Sequence, residues 1–166
     1  MTQPLHTAAS RDESEMNACL NRFAVAILVL GTYLLAGCGG GTKGWADHTQ
    51  GLPFIVGYDE GMKAATEQKK PVMMFVTTTW CGYCKKLAAE NFNDPEVKDL
   101  LSNFVCVIVD GDEEKSAASR LGSKGYPHLV FLSADGEKLG QQSGYAPVAV
   151  FKPLVQEALE KSRKKS

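Results

Sequence analysis

Apolar and polar positions along the chain fall into short blocks whose period switches between strand and helix. Residues 72–76 (VMMFV) and 104–109 (FVCVIV) are unbroken apolar runs, which predicts two strands buried on both faces. A shorter run at 54–56 predicts a brief strand. The segment 129–132, the turn Ser133-Ala134-Asp135-Gly136 and the segment 139–142 predict a hairpin. Between these blocks the period becomes helical. Residues 58–70 carry Met62, Ala64 and Ala65 among charges and stop at Pro71, and 81–90 is rich in helix formers. Asp94-Pro95-Glu96 supplies an N-cap, a proline at the first helical position and an early acid, so a helix is expected through Leu101. Another helix is expected over 113–121, closed by Gly122, and a final amphipathic one over 147–161. Pro153 should kink that last helix or mark its true start. Strand–helix alternation followed by a hairpin and a helix implies an α/β fold, a central mixed sheet flanked by helices on both faces.

The N-terminal third does not share this pattern. Residues 23–35 (FAVAILVLGTYLL) are apolar and uncharged, with Arg22 before them and Leu35-Ala36-Gly37-Cys38 after. Positive charge, a short apolar segment and then small residues are the order of an export signal, and a membrane span needs about 20 residues. Leu-Ala-Gly-Cys resembles the bacterial lipobox, so 1–37 is expected to be a signal peptide and Cys38 the lipidated residue. The acidic stretch Arg11-Asp12-Glu13-Ser14-Glu15 is foreign to such a leader, and a start at Met16 is expected, with 1–15 an extension outside it. Residues 38–53 are Gly-rich, polar and aperiodic. They are expected to form a flexible tether, with Trp45 exposed and His48 solvated. The folded domain is then 54–166.

Composition narrows the chemistry. The chain has 166 residues, 44% of them hydrophobic, and a formal net charge of −1. That suits one domain with one core and excludes a polybasic nucleic-acid binder. The five cysteines, Cys19, Cys38, Cys81, Cys84 and Cys106, are too few and too uneven for a disulfide scaffold. Cys81 and Cys84 form a C-x-x-C at the junction of a buried strand and a helix, which reads as a redox site. Half of a zinc site is the competing assignment. The chain has no second C-x-x-C, and downstream of Cys38 its only histidines are His48 and His128. Cys106, mid-strand, is expected to be an inert buried thiol.

Trp80-Cys81-Gly82-Tyr83-Cys84, Gly125-Tyr126-Pro127 ahead of a strand, and the Asp135-Gly136 hairpin together resemble the thioredoxin superfamily over residues 54–161. Lys70-Pro71 before the strand and Asp94-Pro95-Glu96-Val97 after the motif resemble bacterial exported members. The resemblance implies a thioredoxin-like fold in which Cys81 is the attacking thiolate, its pKa lowered from about 8.5 to roughly 3.5–7.5, and Cys84 the resolving thiol. It implies that Gly82 and Tyr83 tune the potential, as in periplasmic disulfide isomerases. Pro127 matches the family's cis-proline, with Trp80 and Tyr126 on the substrate side. No cofactor or metal is implied, and a monomer is expected. Implied partners are disulfide-containing exported proteins, a membrane electron donor or reoxidant, and a membrane reached through the lipid anchor, on the periplasmic or extracellular side of the cell or outer membrane.

The chain departs from the family at two places. Phe75 stands six residues before Cys81, where thioredoxins keep a buried Asp, and Cys106 stands where they keep its lysine partner. With both gone, the proton of Cys84 is left to water or Lys85, and resolution is expected to limit turnover. Two other function classes are compatible with the residues alone: a copper-binding module using Cys81, Cys84 and His128, and a non-catalytic interaction domain that keeps the fold.

Overall fold

A computed structural model describes residues 44–165. The expected signal peptide, the expected start at Met16 and the expected lipidation site Cys38 lie outside the described residues. Within them the elements run α1 (Ala46–Thr49), β1 (Phe54–Val56), α2 (Tyr58–Gln68), β2 (Val72–Thr77), α3 (Gly82–Asn91), α4 (Pro95–Leu101), β3 (Val105–Asp110), α5 (Lys115–Arg120), β4 (His128–Leu132), β5 (Lys138–Ser143) and α6 (Val148–Lys165). The strands form one sheet in the order β1-β3-β2-β4-β5. β1, β3 and β2 are parallel, and β4 and β5 are antiparallel to their neighbours.

The central strands are buried along their length, save the half-buried Asp110 at the end of β3, because helices cover both sides of the sheet. On one side Met73 and Phe75 of β2, Cys106 and Ile108 of β3, and Leu129 and Phe131 of β4 pack with residues of α3, α4 and α6. On the other, Val72, Met74, Val76, Val105, Val107 and Val109 pack with Ala65 of α2 and with Ala117 and Ala118 of α5. Period-2 alternation thus sorts one apolar run into two cores. At α4 the Asp94 carboxylate accepts the Val97 N–H at 3.0 Å, with Pro95 at the first position. Helix α5 begins two residues later than its sequence suggests. Glu114 instead turns its carboxylate to the backbone N–H groups of Tyr58 (2.8 Å) and Asp110 (3.2 Å). Pro153 lies inside α6 and does not start it.

The expected tether needs correction. Trp45 is 5% exposed and His48 is fully buried, so the folded unit begins ahead of Phe54. The indole and imidazole stack edge to face, with centroids 5.2 Å apart, and His48 also lies 6.3 Å from the Phe75 ring. Lys85 pairs with Asp47 at 3.4 Å, fastening α1 to α3, and just past the ends of both helices the Asn93 amide donates to the Gln50 side chain at 3.0 Å. A four-residue helix is too short to show a period, and a single aromatic residue among glycines carries no pattern. Trp45→Ala should lower the unfolding free energy by about 3–5 kcal/mol, read from urea denaturation. A tether residue would leave the curve unmoved.

Candidate active site

Cys81 is the N-cap of α3, and the chain reaches it from the C-terminal end of β2 through the buried Thr77 and Thr78. Cys81 and Cys84 are joined as a disulfide, with Cα atoms 5.3 Å apart. The two sulfur-bearing residues are not equivalent. Cys84 is fully enclosed on the core face of α3 beside Leu87 and Ala88, whereas Cys81 keeps a small accessible edge. The Cys84 N–H donates to Cys81 Sγ at 3.1 Å. That bond and the positive end of the ten-residue α3 both favour negative charge on Cys81 Sγ once the pair is reduced.

The surroundings of the pair are asymmetric as well. Trp80 and Tyr83 are the most exposed large hydrophobic residues among those described, at 68% and 67%. The Trp80 indole N–H donates to Asp112 Oδ2 at 2.8 Å, and its ring meets Tyr126 edge to face at 6.1 Å. The Tyr126–Pro127 peptide bond is cis. Gly111 makes room for Tyr126, since a Cβ there would meet the phenol oxygen and ring. Burial, and then the charges of Asp112 and Asp110, push the Tyr126 phenol above its ordinary range, so it stays a neutral donor. Trp80, Gly82, Tyr83 and Cys84 follow one another around the motif, and the ring contact with Trp80 brings Tyr126, the residue bonded to the cis Pro127, to it.

His128 does not join them. It is 1% exposed, its Nδ1 is 2.9 Å from Ser143 Oγ and its Nε2 is 3.2 Å from the Leu121 carbonyl. With both nitrogens occupied away from the sulfurs, the Cys81–Cys84–His128 copper set is not assembled. Among the described residues no three His, Cys, Asp or Glu side chains are grouped to hold a metal. Burial lowers the His128 pKa and keeps the ring neutral.

A match to a family model covers residues 58–159, under the description thioredoxin-like domain. The chain belongs to the thioredoxin-like domain family. Among curated relatives, the thiol:disulfide interchange protein DsbD of Ralstonia nicotianae is 31% identical over 84 residues, 48% of this chain and 14% of that one. The thioredoxin-like protein HCF164 of Oryza sativa is 30% identical over 88 residues, 52% of this chain and 33% of its own. This thioredoxin-like chain therefore spans about a third or less of the curated relatives it matches first. Among solved structures, a thioredoxin from Thermus thermophilus superposes with a TM-score of 0.60 at 28% identity, covering 67% of this chain and 89% of that one. The fold expected from the motif residues is the fold found.

Cys106 behaves as the inert thiol expected of it. It is free and buried, and desolvation pushes its pKa up to about 12. Because the folded value lies above the unfolded one, this thiol contributes stability that is intact below the unfolded pKa, near pH 8.5 to 9. That contribution is lost as pH rises from there toward 12. Native protein at pH 8 should leave Cys106 unlabelled by iodoacetamide, and urea-unfolded protein should label it fully, as intact mass would show. Labelling in the native state would mean that the β3 packing opens.

Proposed function

We propose that this protein is a thiol–disulfide oxidoreductase working outside the cytoplasmic membrane and held there by lipid on Cys38. The observation that carries the exchange chemistry is the inequivalent Cys81–Cys84 pair at the start of α3, beside Trp80, Tyr126 and the cis Pro127. In the reduced state Cys81 thiolate attacks a client disulfide, breaking its S–S bond and releasing one client thiolate. Cys84 thiolate then attacks Cys81 Sγ, the mixed disulfide breaks, and the second client thiolate leaves. Two electrons pass to the client, and the protein ends as the disulfide.

Recognition rests on the groove edge formed by Trp80 and Tyr126, with the backbone beside Pro127 positioned to pair with extended client main chain. The clients are disulfide-containing exported proteins. Recycling needs a membrane electron donor if the protein reduces or reshuffles disulfides, and relatives named thiol:disulfide interchange protein support that pairing. Among the described residues no helix is long and apolar enough to cross a membrane. Attachment is assigned instead to the Leu35-Ala36-Gly37-Cys38 sequence, and Gly39 after it permits outer-membrane sorting.

Two measurements test this. Equilibrating the Cys81–Cys84 couple against glutathione gives its potential. A value toward about −270 mV assigns a reductant and one toward about −120 mV an oxidant. Detergent phase partition tests the anchor: wild type should enter the detergent phase, and Cys38→Ser should accumulate as an unlipidated precursor. Processing and acylation that survive Cys38→Ser would remove the lipid assignment.

A further inference from the structure

The proton on Cys84 needs an acceptor, and the residues first considered for it do not serve. Phe75 has no acid or base function, and Lys85, a cation, is turned outward to Asp47. One titratable side chain is buried on this side of the sheet and left over by the fold: His48. It has no accessible surface; its one polar neighbour is the Thr78 backbone, outside strict hydrogen-bond geometry, which leaves a ring nitrogen without a partner. Buried polar atoms nearly always have partners, so an imidazole with an open nitrogen calls for a role. Two other orphaned polar atoms flank the same helix, Thr78 Oγ1 just before the motif and Asn91 Oδ1 at the far end of α3.

The position is specific. His48 lies 6.3 Å ring to ring from Phe75, the residue on β2 beneath α3. The Asp47–Lys85 pair holds α1 against the first turn of α3, at the residue following Cys84. Cys84 is enclosed on that helix's core face.

Resting on the exchange function proposed above, we infer that His48 is the proton acceptor for Cys84, reached directly or through one water. In the resolving step the Cys84 S–H proton moves to an open imidazole nitrogen. The resulting thiolate attacks Cys81 Sγ, the client thiolate leaves, and the imidazolium returns its proton to that thiolate or to solvent. Protons and electrons balance without a further reactant.

The charges facing His48 suit the task. Desolvation and then the Lys85 cation lower its pKa from 6.5, while the Thr78 backbone and the Asp47 carboxylate raise it by less. Phe75 and Trp45, the rings packed on it, add no charge. The ring is therefore neutral and ready to accept at pH 7. His48 escapes sequence inspection because it sits in a segment that looks like linker, far from the motif in the chain.

The probe is Ellman's reagent added in excess to the fully reduced chain with Cys19, Cys38 and Cys106 replaced by Ala, so that Cys81 and Cys84 are its two thiols. Attack by Cys81 releases one thionitrobenzoate and resolution by Cys84 a second, so the two steps are read separately. In the parent the second release should rise with pH and level off before neutrality, because burial lowers the imidazole pKa from its ordinary value. In His48→Gln the first release should be unchanged. The second should be at least about tenfold slower at pH 7, and should rise about tenfold per pH unit as hydroxide does the work.

A second release in His48→Gln within twofold of the parent at pH 7 would overturn the assignment. If that variant does not fold, the parent alone decides: a second phase climbing from pH 5 to 9 without levelling off refutes the imidazole. Absence of the first release would overturn the exchange reading itself, and this assignment with it.

Discussion

Cys84→Ala should convert the protein into a trap for its clients, while Cys81→Ala should leave it without reaction. The geometry dictates this order. Cys81 caps α3, accepts the Cys84 N–H and retains an accessible edge next to the exposed Trp80; Cys84 has no accessible surface at all. A client sulfur can reach only Cys81, and only Cys84 can reach the mixed disulfide from behind. Removing Cys84 should therefore leave covalent client adducts on Cys81 that survive denaturation and dissolve on reduction. Removing Cys81 should bring exchange to the uncatalysed background, a loss of several orders of magnitude, since the other two thiols among the described residues, Cys84 and Cys106, are buried. Non-reducing gels of affinity-purified variants read both outcomes. Adducts on the Cys81→Ala protein would reverse the roles.

Phe75→Asp carries the second large effect, and it falls on stability. Phe75 is fully buried, edge to face with Phe92 at 5.6 Å and tilted against Phe54 and His48 at 6.4 and 6.3 Å. Losing the ring alone costs about 3–5 kcal/mol, a large share of the roughly 5–15 kcal/mol that holds a domain together. The new carboxyl adds a burial penalty. No lysine or arginine replaces the family's cation, because Cys106 stands in its place with a neutral thiol. Burial would raise the folded-state pKa of that carboxyl above its unfolded value near 4. The variant should then lose further stability as pH rises from 4 toward 8, which is the sign for a group whose folded pKa is raised. Denaturation curves at pH 5 and pH 8 should show the variant at least about 4 kcal/mol below wild type, with the larger gap at pH 8. Equal stability at pH 8 would mean that the aromatic cluster tolerates a charge.

Much of the sheet was legible because its signals are local and redundant. The runs at 72–76 and 104–109 declare central strands, since runs this short and apolar at every position suit a strand covered on both faces better than a buried helix. The C-x-x-C between strand and helix, and Tyr126-Pro127 before β4, were likewise visible as short motifs. What could not be read were features made by distance. Trp45 and His48 become core only because α3 and Phe75 lie beside them, and nothing in a Gly-rich stretch announces that meeting. His128 was compatible, on the residues alone, with a copper set that included the two sulfurs. Strand geometry sends its ring toward Leu121 and Ser143 instead. Glu114 looked like the first turn of a helix and serves as a cap for Tyr58 and Asp110.

The central claim is that electrons pass to clients through Cys81 and Cys84 and no other thiols. Incubating the fully reduced 44–166 chain with a disulfide-bonded peptide and counting sulfurs by mass tests it directly. The account predicts one peptide disulfide reduced for each Cys81–Cys84 disulfide formed, with Cys106 still a free thiol, and no reaction in Cys81→Ser. Peptide reduction that persists in Cys81→Ser, or a product disulfide that includes Cys106, would contradict it.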